Sequence, residues 1–203
     1  MKVISVNIGK KKKVIWNGKE IETGIYKYPV NEAIFLGVED VEKDDVVDRK
    51  YHGGIHKACY AYSSDTFAFW QNLYPHLKIE NGIFGENLTV EGLDETEIKI
   101  GNQYQVGSAI IEVSQPRQPC FKLGIRFEDQ GVLKHFVNAS FSGVYFRVIK
   151  PGSVASGSLF ELVKERENEP TVAEVHAVKF QSPDQNITKN VKGSQFIADA
   201  YFK

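Results

Sequence analysis

Apolar and polar positions alternate near the start of the chain. Ile4, Val6 and Ile8 fall on one face of a segment over Val3–Ile8, the period of a half-buried strand. Val14-Ile15-Trp16 and Lys19-Glu20-Ile21 flank Asn17-Gly18, a pair that tolerates the positive φ angles of a two-residue hairpin turn. Ala33–Leu36 and Val46-Val47 predict further short strands. Over Ser64–Leu73 the period becomes helical. Phe67, Trp70, Leu73 and Tyr74 share a face, with Ser63, Ser64 or Asp65 available as a cap, and the stripe reads as core. Short strands resume at Asn87–Val90, Glu97–Ile100, Gln103–Val106 and Ala109–Val113, punctuated by Gly92, Gly101 and Gly107. Val132–Phe136 predicts a helix. Gly143–Ile149 and Leu159–Val163 predict strands, with Pro151–Gly157 as a turn between them. Many short strands with few helices make the class mainly β, a barrel or a sandwich.

The pattern shifts after Val163. Lys164–Glu169 is charged and Pro170 stops what precedes it. Thr171–Phe180 is helical by pattern, with Thr171 and Glu174 spaced as a capping box. The expected organisation is a β domain over residues 1–165 and a small helical C-terminal appendage over 166–203, the latter weakly patterned towards its end.

With 203 residues, 42% of them hydrophobic, the chain can bury one sizeable core plus that appendage. Its 25 basic and 26 acidic residues leave a net charge of -1, which argues against nucleic acid as a partner. The Lys10–Lys13 run, beside the hairpin, reads as a solvated strand end. Cys59 and Cys120 are the two cysteines, too few for a disulfide framework or a four-cysteine iron–sulfur cluster. The opening residues lack the apolar core of a signal peptide, and no window reaches the ~18 apolar residues of a membrane span. The expectation is a cytoplasmic protein without membrane contact.

Three segments carry candidate chemistry. In Asp48–Ala58, Gly53 and Gly54 free the backbone for a sharp turn or a close approach to a ligand, while Arg49, Lys50, His52, His56 and Lys57 crowd donors and positive charge around it. Such a loop suits a phosphate, and a solvated turn is the alternative. His52, His56 and Cys59 also have metal-ligand spacings, but Gly53-Gly54 argues against a helix through them and a second cysteine pair is missing. In Gly82–Thr89, Asn87 can hydrogen-bond a heterocycle or close a turn. In Gln115–Leu123, Pro116 and Pro119 stiffen a loop leaving a strand end. If Pro119 opens a short helix, Cys120 lies at its N-terminus, with Arg117 and Lys122 near enough to favour a thiolate, a nucleophile and soft metal ligand. A buried structural cysteine is the alternative.

Tyr51-His52-Gly53-Gly54 with Lys57-Ala58, then Phe84–Thr89, then Gln115–Leu123, in this order, resemble the MOSC family, named for the C-terminal domain of molybdenum cofactor sulfurases, and within it the stand-alone YiiM-like subfamily. The resemblance covers about the first four-fifths of the chain. It implies a MOSC-type β-barrel with a few helices and a small helical C-terminal unit. It implies a molybdenum cofactor (molybdopterin) with Cys120 as the metal ligand, independent of pyridoxal phosphate, and reduction of N-hydroxylated bases or related small molecules in detoxification, including resistance to N-hydroxylaminopurine. An external redox protein then supplies the electrons. The alternative is a non-catalytic carrier, with Cys120 holding a persulfide or the cofactor. The residues expected around the cofactor are Arg49, His52, Gly53, Gly54, Lys57, Asn87 and Arg117, with His52 and Lys57, Arg49 beside them and Arg117 from the cysteine loop sharing its phosphate, and His52 gaining affinity when protonated below its usual pKa of ~6.5. His56, where an acidic residue is expected, and Cys59, where an aliphatic one is usual, depart from the family pattern.

Overall fold

The computed structural model describes residues 1–139 and 141–202. Its first strand, β1 (Lys2–Gly9), forms where the alternation places it, but both of its faces are covered. Val3 and Val6 enter the hydrophobic core, while Ser5 and Asn7 are buried as a polar pair: Ser5 Oγ donates to Asn7 Oδ1 at 2.8 Å, and Asn7 Nδ2 to Thr89 Oγ1 at 3.0 Å. Ile4 and Ile8, expected inside, are half-buried.

The hairpin of β2 (Lys12–Trp16) and β3 (Lys19–Thr23) turns on Asn17 and Gly18, at φ 48° and 73°. The mirrored turn matches strand twist, so the sequence signal was local and complete. Next come β4 (Lys27–Pro29), β5 (Ile34–Leu36) and a single helical turn, α1 (Arg49–His52). β6 (Cys59–Ser63) runs parallel to β7 (Leu88–Glu91), and the crossover between them carries α2 (Phe67–Leu73). Then follow β8 (Gln103–Val106), β9 (Ala109–Pro116), α3 (Phe121–Arg126), α4 (Val132–Asn138), β10 (Val144–Lys150), β11 (Gly152–Val154) and β12 (Phe160–Lys164). The C-terminal helices are α5 (Val172–Phe180) and α6 (Gln185–Gly193).

Eight strands form one sheet in the order β12-β8-β9-β10-β6-β7-β1-β4. The expected closed barrel is corrected: this sheet is open. The start of its end strand β12 meets β1, next to the other end, through an isolated bridge, Lys2 to Leu159, beside the bond from the Phe160 N–H to the Met1 carbonyl. β1 turns the rest of that edge to β4, pairing Asn7–Gly9 with Lys27–Pro29, so the ring is not continued.

Several expected elements are also corrected. Val46-Val47 and Glu97–Ile100 form no strand; the Ile98 amide bonds to the Asp94 carbonyl in a turn, and the Ile100 amide reaches the Pro170 carbonyl beside an isolated antiparallel bridge from Lys99 to Thr171. Pro151–Gly157 contains β11, which pairs with β5. β6 was missed because all five of its residues are buried, which erases the period of two. On α2, Trp70 and Tyr74 are buried as expected, whereas Leu73 is exposed.

Two hydrophobic clusters result. One fills the interior of the sheet and takes in Val172, Val175 and Val191 from the C-terminal helices. The other is aromatic, built from Tyr60, Tyr62, Trp70, Phe84, Phe127 and Phe136 between the crossover and α3–α4. Thr171 caps α5 with the expected box, its side chain accepting from the Glu174 amide at 3.2 Å while the Glu174 carboxylate accepts from the Thr171 amide at 2.8 Å.

Candidate functional site

β9 ends at Pro116, which has no N–H to extend the ladder, and the chain continues in extended form to Cys120, at φ -127° and ψ 162°, before α3 begins at Phe121. Cys120 thus stands at a helix N-terminus, one residue outside the expected position of the proline. Cys120 is partly exposed.

Arg117 leads into this loop and is buried. Its guanidinium donates to the Phe84 carbonyl and lies 4.9 Å from the Tyr60 ring centre and 5.8 Å from that of Phe136. Burial pulls its pKa down, but Tyr60, Tyr145 and Cys120 together outweigh this and raise it, so Arg117 is a fixed cation. Phe84 is held in turn by Glu86. That carboxylate accepts from the Gly82 amide at 2.5 Å, the Phe84 amide at 3.0 Å and Thr89 Oγ1 at 2.8 Å. Gly85, at φ 76°, lets this turn press on Ile25: a Cβ there would lie 3.0 Å from Ile25 Cγ1.

Asn87 closes another corner. Its Oδ1 accepts from the Tyr60 amide at 3.3 Å, and its Nδ2 donates to Asp44 Oδ2 at 3.0 Å. Asp44 also pairs with the Lys27 ammonium. From the other side, Gly54 at φ 92° turns the chain after α1, and Lys57 Nζ donates to the Tyr51 carbonyl at 2.6 Å.

These segments wall one cleft. His52, Lys57, Asn87, Arg117 and Cys120 are brought together on its wall. Arg49, Gly53 and Gly54 are not: Arg49 turns to the surface and pairs with Asp40 at 2.5 Å and Glu39 at 3.0 Å. For His52, the protonation expected to tighten binding is displaced well below the usual imidazole range. Burial first, then Arg117, Lys122 and Lys57, lower its pKa to about 4, so it enters the cleft as a neutral imidazole.

Sequence reasoning missed Lys27, Asp44, Tyr60 and Tyr145 on the wall. Lys27 and Asp44 meet only through tertiary folding and carry no local signal. Lys122 also lines the cleft and had a signal, two residues beyond Cys120. It is 8% exposed, and Asp48, its carboxylate neighbour, stands 4.0 Å away. With its stem buried and so loose a counter-ion, Lys122 has positive charge to offer an anion in the cleft. Cys59 lies wholly inside, and burial pushes its thiol up to about 12. Among the described residues no group of three His, Cys, Asp or Glu side chains is placed to hold a metal ion, which removes the His52–His56–Cys59 alternative.

A family model described as the MOSC domain matches residues 48–161. The uncharacterized protein YflK of Bacillus subtilis (strain 168) is 36% identical over 92% of this chain and 83% of its own length. A Gibberella moniliformis protein named a reductase is 31% identical over 80% of this chain, which spans 29% of that longer protein. The crystal structure of YiiM from Geobacillus stearothermophilus superimposes with a TM-score of 0.81 at 28% identity, over 98% of this chain and 94% of that one.

Proposed function

The chain belongs to the MOSC domain family, whose members are associated with the molybdenum cofactor, and from that premise we propose that the cleft holds this cofactor with Cys120 as the molybdenum ligand. The observation that carries the reading is the donor set: a partly exposed cysteine in one cleft with Lys57, Arg117, Lys122 and a neutral His52. The cofactor is a pterin bearing a phosphate, and this set fits it. Thiolate is a soft ligand, the cations match the phosphate, and a neutral imidazole both donates and accepts hydrogen bonds at a heterocycle.

The bound cofactor supplies two-electron redox chemistry. The reaction proposed is reductive removal of oxygen from N-hydroxylated bases or related small molecules, a detoxification, with electrons from a separate redox protein. The chain's own contribution is to bind and orient. Arg117 is a fixed charge, held by the Phe84 carbonyl and two aromatic rings. Lys57 and Lys122 add further positive charge to the wall. Tyr145, its hydroxyl held neutral by burial, presents a donor to a substrate, whereas Tyr60 donates its own to the Ser142 carbonyl at 2.8 Å. A relative named a reductase supports the redox reading.

The test is metal analysis of protein from a molybdenum-replete host, followed by assay with an N-hydroxylated base and a reduced electron donor. Stoichiometric molybdenum and turnover, both lost in Cys120→Ala, are expected. Cyanide-labile sulfur without metal identifies the carrier instead, and neither metal nor labile sulfur ends both readings.

A further inference from the structure

The chain beyond α6 passes close to both loops that supply the cleft. Its backbone is tied down by side chains from elsewhere. Gln118 Nε2, two residues before Cys120, donates to the Tyr201 carbonyl at 2.7 Å, and Lys179 Nζ on α5 donates to the same oxygen at 3.0 Å. The Phe196 carbonyl accepts from Arg147 on β10. Arg147 Nε donates to His56 Nδ1 at 2.8 Å, and its other terminal nitrogen pairs with Glu112 at 3.0 Å. His56 stands beside Lys57. One segment thus grips the cysteine loop directly and the His52–Lys57 loop through one side chain.

The segment is itself anchored. Ile197 and Tyr201 are buried in the core cluster. The Phe196 ring fills the space over Gly101, where a Cβ would lie 2.8 Å from the ring, and Arg166 covers the ring at 4.4 Å. Ser194 Oγ donates to Glu169 at 2.5 Å. An anchored segment bonded to both loops constrains their spacing.

We propose that residues 194–202 are a strap that positions the cleft, with Gln118 as the positioning residue for Cys120 and Arg147 as the one for the His52–Lys57 loop. None of these residues lines the cleft, so they act through the loops they hold. The proposal rests on the reading of this cleft as the functional site, but its test needs no cofactor.

In apoprotein, the alkylation rate of Cys120 by iodoacetamide reports how the cysteine loop is held; Cys59, wholly buried, reacts too slowly to interfere. Gln118→Glu keeps the shape of the side chain and removes its donor. Gln118→His restores a ring N–H at similar reach. Loss of one hydrogen bond predicts alkylation about three- to tenfold faster in Gln118→Glu, returning close to the wild-type rate in Gln118→His. For the second tie, Arg147→Met predicts faster hydrogen exchange at residues 52–58, with α2 unchanged as the internal control. A wild-type alkylation rate in Gln118→Glu, no rescue by Gln118→His, or unchanged exchange at 52–58 in Arg147→Met each overturns the strap. Because every reading is taken on apoprotein, absence of molybdenum activity leaves the test intact.

Discussion

The two cysteines separate by environment. Cys120→Ala is expected to abolish metal or sulfur retention with the fold intact, whereas Cys59→Val, close in volume, costs under ~1.5 kcal/mol in a urea titration. Full activity in Cys120→Ala would falsify its role as ligand. Arg117 is built into the wall, so removing it takes away packing as well as charge. Lys122→Ala is the cleaner probe of the anion site, and a loss of ~1.5–3 kcal/mol in cofactor retention is expected if a charge-assisted hydrogen bond is lost. His52 gives a pH prediction. Its pKa falls from 6.5 in the unfolded chain to about 4 in the fold, so the unfolded chain binds its proton more readily. The associated stability is fully present above pH 6.5 and is lost as pH falls through about 4. Urea midpoints at pH 7, 5 and 4 are expected to fall less steeply in His52→Gln than in the parent; parallel curves would show that His52 takes up no proton across this range.

At the scale of elements, legibility followed locality. Asn17-Gly18 and the Thr171–Glu174 box are decided within four residues, and both stand as expected. β6 and the Lys27–Asp44–Asn87 corner are decided by what packs on them, so no local pattern announced them. The cysteine and glycine loops were legible as motifs, yet Arg49 shows the limit: composition placed it in the cradle, and Glu39 and Asp40 drew it to the surface. Entry into β10 depends on a single position. Gly143 sits at φ 73°, its amide donates to the buried Glu95 carboxylate at 2.8 Å, and a Cβ there would meet Tyr60 Oη at 2.4 Å and the Ala61 carbonyl at 2.7 Å. Backbone strain and overpacking together predict a loss of ~2–5 kcal/mol for Gly143→Ala, measured by urea unfolding. A loss within ~0.5 kcal/mol would mean that Tyr60 moves aside freely.

For the whole molecule, we propose a boundary near residue 165, with the C-terminal helices docked on the sheet and sharing its core through Val172 and Val175. Limited proteolysis is expected to cut first between Lys164 and Thr171; earlier cuts within Phe84–Val113 would contradict that boundary. The cleft sits at the other extreme of organisation, since its wall draws on residues from Thr23 to Tyr145 and includes no complete local unit. That arrangement sets a timetable for synthesis. At ~5–20 residues per second the wall takes on the order of ten seconds to leave the ribosome. Even then the Gln118 loop lacks the Tyr201 carbonyl that holds it. A nascent chain therefore offers a ligand only fragments of the pocket until Tyr145 has been made, and a tethered cysteine loop only once Tyr201 has followed.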